Sequence, residues 1–138
     1  MADAVAKKQI GGGFLSAPSQ HVVLEYDFAV DGGTAQAYDL GIFKQKCVVK
    51  GAYVHVVTAC TSGGSATVSV GTTDDTDGIL DTTSGAVASL TGDAVIYETA
   101  GTSGLFVDVN DEIILTIGTA ALTAGKIHVH LDVDLLDS

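Results

Sequence analysis

Gly125-Lys126-Ile127-His128-Val129-His130-Leu131-Asp132-Val133-Asp134-Leu135 is the stretch that decides the fold class. Ile127, Val129, Leu131, Val133 and Leu135 fall on one side of an extended chain, and His128, His130, Asp132 and Asp134 on the other, because successive strand side chains alternate faces. That is a half-buried strand, packed on one face and wet on the other. The run Asp111-Glu112-Ile113-Ile114-Leu115-Thr116-Ile117-Gly118 leads into it through a Gly/Ala/Thr turn and is strand-like too. The design describes a stiff packed sheet better than a catalytic cleft.

Working outward, strand-like runs alternate with turn signals from His21 onward, near 21–30, 34–40, 47–60, 65–71, 86–90, 94–99, 104–109, 111–118 and 125–135. The breaks are Asp31-Gly32-Gly33, Ser62-Gly63-Gly64, the loop 72–85, Thr91-Gly92-Asp93, Ala100-Gly101, Asn110-Asp111 and the turn 119–124, rich in residues that tolerate positive φ or cap a turn. No segment carries a helical period. Eight or nine antiparallel strands in one domain imply two packed sheets, so the expectation is an all-β, two-sheet antiparallel jelly-roll-like sandwich over residues 21–138. The stretch 52–58 running through a Gly/Ser turn into 66–71 echoes 111–118 running into 125–135, and both are expected as long hairpins.

Residues 1–20 are different. They hold Lys7 and Lys8, the run Gly11-Gly12-Gly13, the apolar Ile10, Phe14 and Leu15, and the only proline, Pro18. Three glycines in a row do not order themselves, and the apolar residues have nothing local to bury them. The reading is a flexible N-terminal arm, either loose or ordered on a partner.

At 138 residues the chain is one domain and can hide roughly two-thirds of its unfolded surface. With 46% hydrophobic and only 17% charged residues, 17 Gly and no Trp, it is balanced like a Gly/Thr/Val-rich β protein and unlike a disordered one. The formal charge is −11, with no arginine. Nucleic-acid affinity comes mostly from neutralising phosphates, and anionic membranes demand the same cations, so neither partner fits. Such a surface keeps copies apart at high local concentration. Cys47 and Cys60 lie 13 positions apart. If the run between them is one strand they are roughly 40 Å apart at ~3.3 Å per residue, so they read as two buried thiols of a reducing compartment. The first residues lack a signal-like apolar region and no run approaches the ~20 apolar residues of a span, so a soluble product made in the cytoplasm is expected.

Few constellations carry chemistry. His128, His130, Asp132 and Asp134 are metal-ligand types, with His55 able to join if the long strands pair. Side chains two apart on a strand stand ~6.5 to 7 Å apart, so a metal site requires ligands from a partner strand. The preferred reading is an exposed polar face or an intersubunit seam, with no metal and no cofactor. Thr73-Asp74-Asp75-Thr76-Asp77-Gly78 resembles part of a calcium loop but lacks the third spaced ligand and the closing Glu, and Asp108-Val109-Asn110-Asp111-Glu112 reads as a turn. Gly101-Thr102-Ser103-Gly104 is not a nucleophile elbow, and no phosphate loop or H-E-x-x-H occurs. No enzyme is expected.

The run from Val48 through Tyr53-Val54-His55-Val56-Val57-Thr58 and Ser62-Gly63-Gly64 to Val68-Ser69-Val70-Gly71, then Asp77-Gly78-Ile79-Leu80, and later Thr116-Ile117-Gly118-Thr119-Ala120-Ala121-Leu122-Thr123-Ala124-Gly125-Lys126-Ile127-His128-Val129, resembles small virion proteins of tailed bacteriophages. In several of those the family role is capsid decoration, or cement. The resemblance spans most of residues 35–135. It implies a jelly-roll domain, a homotrimer, a place on the outer capsid surface of a virion assembled in the host cytoplasm, and a clamp across neighbouring subunits of the major capsid protein. It implies no catalytic residues. Head fibres, tail baseplates and spikes reuse similar β domains, so a module that binds a host surface or another virion protein is the alternative. A cement protein must be stiff, soluble at high copy number and unattractive to the genome, which strand-rich, acidic, arginine-free composition provides. In this reading Lys7 and Lys8 meet acidic capsid surface while Ile10, Phe14 and Leu15 bury against the shell.

Overall fold

The computed structural model describes residues 9–10, 19–97 and 105–136, with side chains over 21–97 and 106–136. Nine strands follow in chain order: β1 (Gln9–Ile10), β2 (Ser19–Asp27), β3 (Ala37–Phe43), β4 (Cys47–Ser62), β5 (Thr67–Thr72), β6 (Val95–Tyr97), β7 (Leu105–Val107), β8 (Glu112–Gly118) and β9 (Leu122–Leu135). They form a four-stranded sheet in the order β1-β3-β8-β5 and a five-stranded one in the order β2-β9-β4-β6, with β7 also on β4. Every pairing is antiparallel except the two-residue β1–β3 contact.

From β2 onward the chain changes sheet at each connection, apart from β6 to β7. That alternation makes the jelly roll: consecutive strands face each other across the core and are not neighbours in a ladder. It corrects both expected hairpins. β4 and β5 lie in different sheets, as do β8 and β9, while β4 and β9 pair with each other from Cys47↔Leu135 to Ser62↔Leu122. Alternation predicts a strand and its buried face, but names no partner.

The core lies between the sheets. Val22, Leu24 and Tyr26 of β2, Val54 and Val56 of β4, and Ile127, Val129, Leu131 and Val133 of β9 meet Leu40 and Phe43 of β3, Val68 and Val70 of β5, and Ile113, Leu115 and Ile117 of β8, all buried. The register shift between Val49 and Gly51 puts one extra residue into β4. This bulge lets Val49 and Ala52, three apart, both turn inward. Cys47 and Cys60 are free and buried, as expected.

Two short helical turns replace expected strand. The run 21–30 ends as strand at Asp27, whose carboxylate accepts from Ala29 N at 3.0 Å and caps a single turn of helix, α1 (Phe28–Asp31). The expected strand 86–90 is instead a 3-10 turn, Val87–Ser89. Its ends are committed to different sheets: Val87 N donates to Ala66 O just before β5, while Leu90 O accepts from Cys60 N of β4. A segment that bridges both sheets in five residues cannot run along either. Upstream of it, Leu80 and Ala86 make isolated bridges to Val70 and Thr67, so the segment 79–90 covers the edge of β5 without forming a regular strand there.

Candidate functional site

The outer face of the five-stranded sheet gathers all four histidines of the chain. The inward row of β2 (Val22, Leu24, Tyr26) sends His21 and Glu25 outward, and the inward rows of β4 and β9 do the same for Tyr53, His55, His128, His130 and Asp132. Because β9 lies between β2 and β4, register sets three rows across the face: Glu25–His128–His55, Val23–His130–Tyr53 and His21–Asp132–Gly51. β6 extends the first two with Val95 and Tyr97.

The contacts follow the rows. His128 Nε2 lies 2.9 Å from Glu25 Oε2. His21 bridges two neighbours, with Nε2 3.0 Å from His130 Nδ1 and Nδ1 2.8 Å from Asp132 Oδ1. Nε2 of His55 stands 3.5 Å from Asp93 Oδ1. The Tyr53 and His130 rings stack at 4.4 Å and 8°, and Tyr97 leans on Tyr53 at 5.7 Å. Burial, and then the neighbouring His21, His128 and His55, hold His130 below the usual imidazole range, so it is inclined to stay neutral. A cleft of about 380 Å³ opens beside it between Tyr53, Tyr97, His21 and Asp132. Gly51 leaves that space open, since a Cβ there would touch only Asp132.

The structure therefore joins His55 to His128 and His130, as the pairing of the long strands requires, but separates the two aspartates. Asp132 reaches His130 only through His21, and Asp134 lies 3.2 Å from Lys50 Nζ. One ligand atom from each of His55, His128 and His130 lies within 4.8 Å of the others, the one such group of three among the described residues. Sequence reasoning missed His21, Glu25, Tyr53, Asp93 and Tyr97. The signal for the first two was present in β2, whose alternation is the same as that of β9.

In the acidic loop Asp75 O accepts from Thr72 N and Gly78 N, which closes a tight turn on Gly71. Asp77 is pushed above the usual carboxylate range, chiefly by its hydrogen bond to Asp75. Asn110 takes a positive φ of 71° in the turn between β7 and β8, with its N–H donating to Phe43 O. Of the arm, Ile10 is placed by its backbone, opposite Phe43 on the edge of β3. Lys7, Lys8, Phe14 and Leu15 lie outside the described residues. No helix among the described residues is long and apolar enough to cross a membrane.

No family model and no curated protein sequence matches this chain. Solved structures do. A chain in the capsid of Ralstonia phage GP4 superposes with a TM-score of 0.64 at 14% identity, over 93% of this chain and 91% of that one. In the acidic stable capsid structure of Helicobacter pylori bacteriophage KHP30 the values are 0.61 and 17%, over 86% and 89%. For the capsid asymmetric unit of cyanophage Pam1 they are 0.60 and 18%, over 99% and 98%. The chain thus shares its fold, over nearly its whole length, with similarly sized chains found in three phage capsid structures.

Proposed function

We propose that this chain is a structural protein of a phage virion that decorates the outer surface of the head and clamps neighbouring subunits of the major capsid protein. The observation that carries this reading is the end-to-end likeness to chains of three phage capsid structures, with both partners covered to 86% or more. The matched chains are small sandwiches of the same extent, which is what an add-on to a shell requires. Composition supports the same role: a chain of net charge −11 without arginine repels packaged nucleic acid and stays soluble at high copy number.

The grip is assigned to the arm. Lys7 and Lys8 carry a third of the chain's six cationic side chains, and Ile10, Phe14 and Leu15 are its apolar anchors. The short parallel ladder of Gln9–Ile10 on β3 is the type of strand addition by which an arm seats on a sheet edge, its own or a neighbour's. A homotrimer is part of the proposal. Val95, Tyr97 and Phe106 stand exposed on β6 and β7, at the open edge of the five-stranded sheet, where a second copy would cover them.

The test adds purified full-length protein, or the same protein lacking residues 2–16, to heads that lack it. Full-length protein should coat the shell in regular array and raise the temperature at which heads rupture, and the truncated form should wash off. Equal retention of the two forms removes the arm from the mechanism. Full-length protein found only at a vertex or tail removes the decoration role.

A further inference from the structure

We infer that His55, His128 and His130 form a binding site for a single borderline transition ion, zinc(II) first among them, on the outer face of the five-stranded sheet. The inference is independent of where the protein sits in a virion.

Three observations carry it. The first is convergence from two strands. His55 and His128 are directly opposite in the β4–β9 ladder and His130 follows two residues on, on the same face. Opposed residues of an antiparallel pair stand ~4.5–5.5 Å apart at Cβ, within reach of one ion. One nitrogen of each ring already lies within 4.8 Å of the other two. Zinc–nitrogen bonds of about 2.0–2.1 Å in tetrahedral geometry place ligand nitrogens roughly 3.3 Å apart. The rings must therefore close by up to about 1.5 Å, which side-chain torsions supply without moving the strands.

The second is the ring of outer partners. Metal-bound imidazoles characteristically give their other nitrogen to a carboxylate or similar acceptor, which fixes tautomer and orientation. Two of the three have such a partner, Glu25 at 2.9 Å from His128 Nε2 and His21 at 3.0 Å from His130 Nδ1, and Asp93 stands at ion-pair distance, 3.5 Å, from His55 Nε2. Behind His21 stands the Asp132 carboxylate at 2.8 Å. The nitrogens left over, Nδ1 of His128, Nε2 of His130 and Nδ1 of His55, are one per ring.

The third is selectivity. Three imidazoles suit Zn²⁺, Ni²⁺, Co²⁺ or Cu²⁺ and not Mg²⁺ or Ca²⁺, which take oxygen ligands. Both thiols are buried in the core on the other side of the sheet and cannot compete. Three His ligands leave a fourth position for water, and Glu25, Asp93 and Asp132 offset the charge of the ion. An ion held here ties β4 to β9, the two longest strands, so occupancy stabilises the folded chain by linkage.

The experiment strips the full-length protein with a chelator and titrates it with ZnCl₂ by calorimetry, in parallel with thermal unfolding and with CoCl₂ followed by visible absorption. Expected are one equivalent bound, a tetrahedral cobalt spectrum, no response to MgCl₂ or CaCl₂, and a rise in Tm of about 8 °C at a hundredfold excess over Kd. His55→Gln and His128→Gln should each weaken binding by more than tenfold, and Glu25→Gln by about tenfold through the outer partner. Should a variant unfold, zinc-induced shifts of the His55, His128 and His130 ring resonances in the unaltered protein decide instead. No saturable binding, or binding indifferent to the histidine variants, overturns the site.

Discussion

Replacing Gly85 by alanine should cost this sandwich a large share of its stability, although the change adds one methyl group. Gly85 lies in the segment 79–90 that covers the edge of β5. A Cβ built there would stand 1.7 Å from Val68 O and 2.8 Å from Val68 C, both backbone atoms with no flexible end to yield. Relief requires the segment to retreat by roughly 1.5 Å to reach ordinary packing distances. That breaks or stretches Val68 N→Gly85 O (2.8 Å), Gly85 N→Asp81 O (2.9 Å) and Val87 N→Ala66 O (3.0 Å). At about 1 kcal/mol per bond, with about 1–3 kcal/mol more for loosened packing, the loss is about 4–6 kcal/mol against a total of about 5–15. Leu80 and Leu90, both 0% exposed at the two ends of the segment, are the residues whose packing loosens. Urea unfolding followed by circular dichroism should show the midpoint falling by about 2 M. Gly63→Ala is the control, since a Cβ there meets nothing within 4 Å, and it should stay within about 0.5 kcal/mol of the parent. A Gly85→Ala protein less than about 1 kcal/mol weaker than the parent would show that the segment is not clamped to β5 and refute the reasoning.

Two further predictions concern protons. Burial pushes the Cys60 thiol up from 9.0 to about 11, so between these values the unfolded chain loses a proton that the folded one keeps, and stability falls as pH rises through the window. Tm should decline from pH 9 to 11, less steeply in Cys60→Ala, and Ellman's reagent should label Cys47 and Cys60 only once denaturant is added. Glu112 is raised above the usual carboxylate range by burial first, then by the charge of Asp39 and a hydrogen bond to it. A raised carboxyl stabilises the fold below its unfolded value and loses that contribution as pH climbs through the raised one. Glu112→Gln should therefore melt higher than the parent at pH 7 and together with it at pH 4. A gain that persists at pH 4 would assign the effect to something other than charge.

What was legible locally was the facing of each strand. Alternation in β9 placed Ile127 to Val133 in the core and His128 to Asp132 in water, and the same alternation in β2 hid Leu24 and exposed His21. Partnership was not legible, because the residues that make β4 pair with β9 and not with β5 are the same apolar ones that would face inward in either arrangement. The 3-10 turn Val87–Ser89 escaped for a related reason: its shape follows from hydrogen bonds to Ala66 and Cys60, more than twenty residues upstream. For the histidine site, sequence supplied His55, His128, His130 and the condition that the long strands pair. It did not supply Glu25, His21 and Asp93, which become partners only once β9 is set between β2 and β4.

That central place of β9 governs how the chain can be made. β2 and β4 have no ladder with each other and both wait for the strand that is synthesised last of the nine. A nascent chain on the ribosome can thus start the four-stranded layer when β8 emerges, but must hold β2 and β4 open until β9 follows. Folding is slow in the manner of distant strand pairings. During that wait the excess of negative charge serves a second purpose, keeping unfinished chains on neighbouring ribosomes from zipping together.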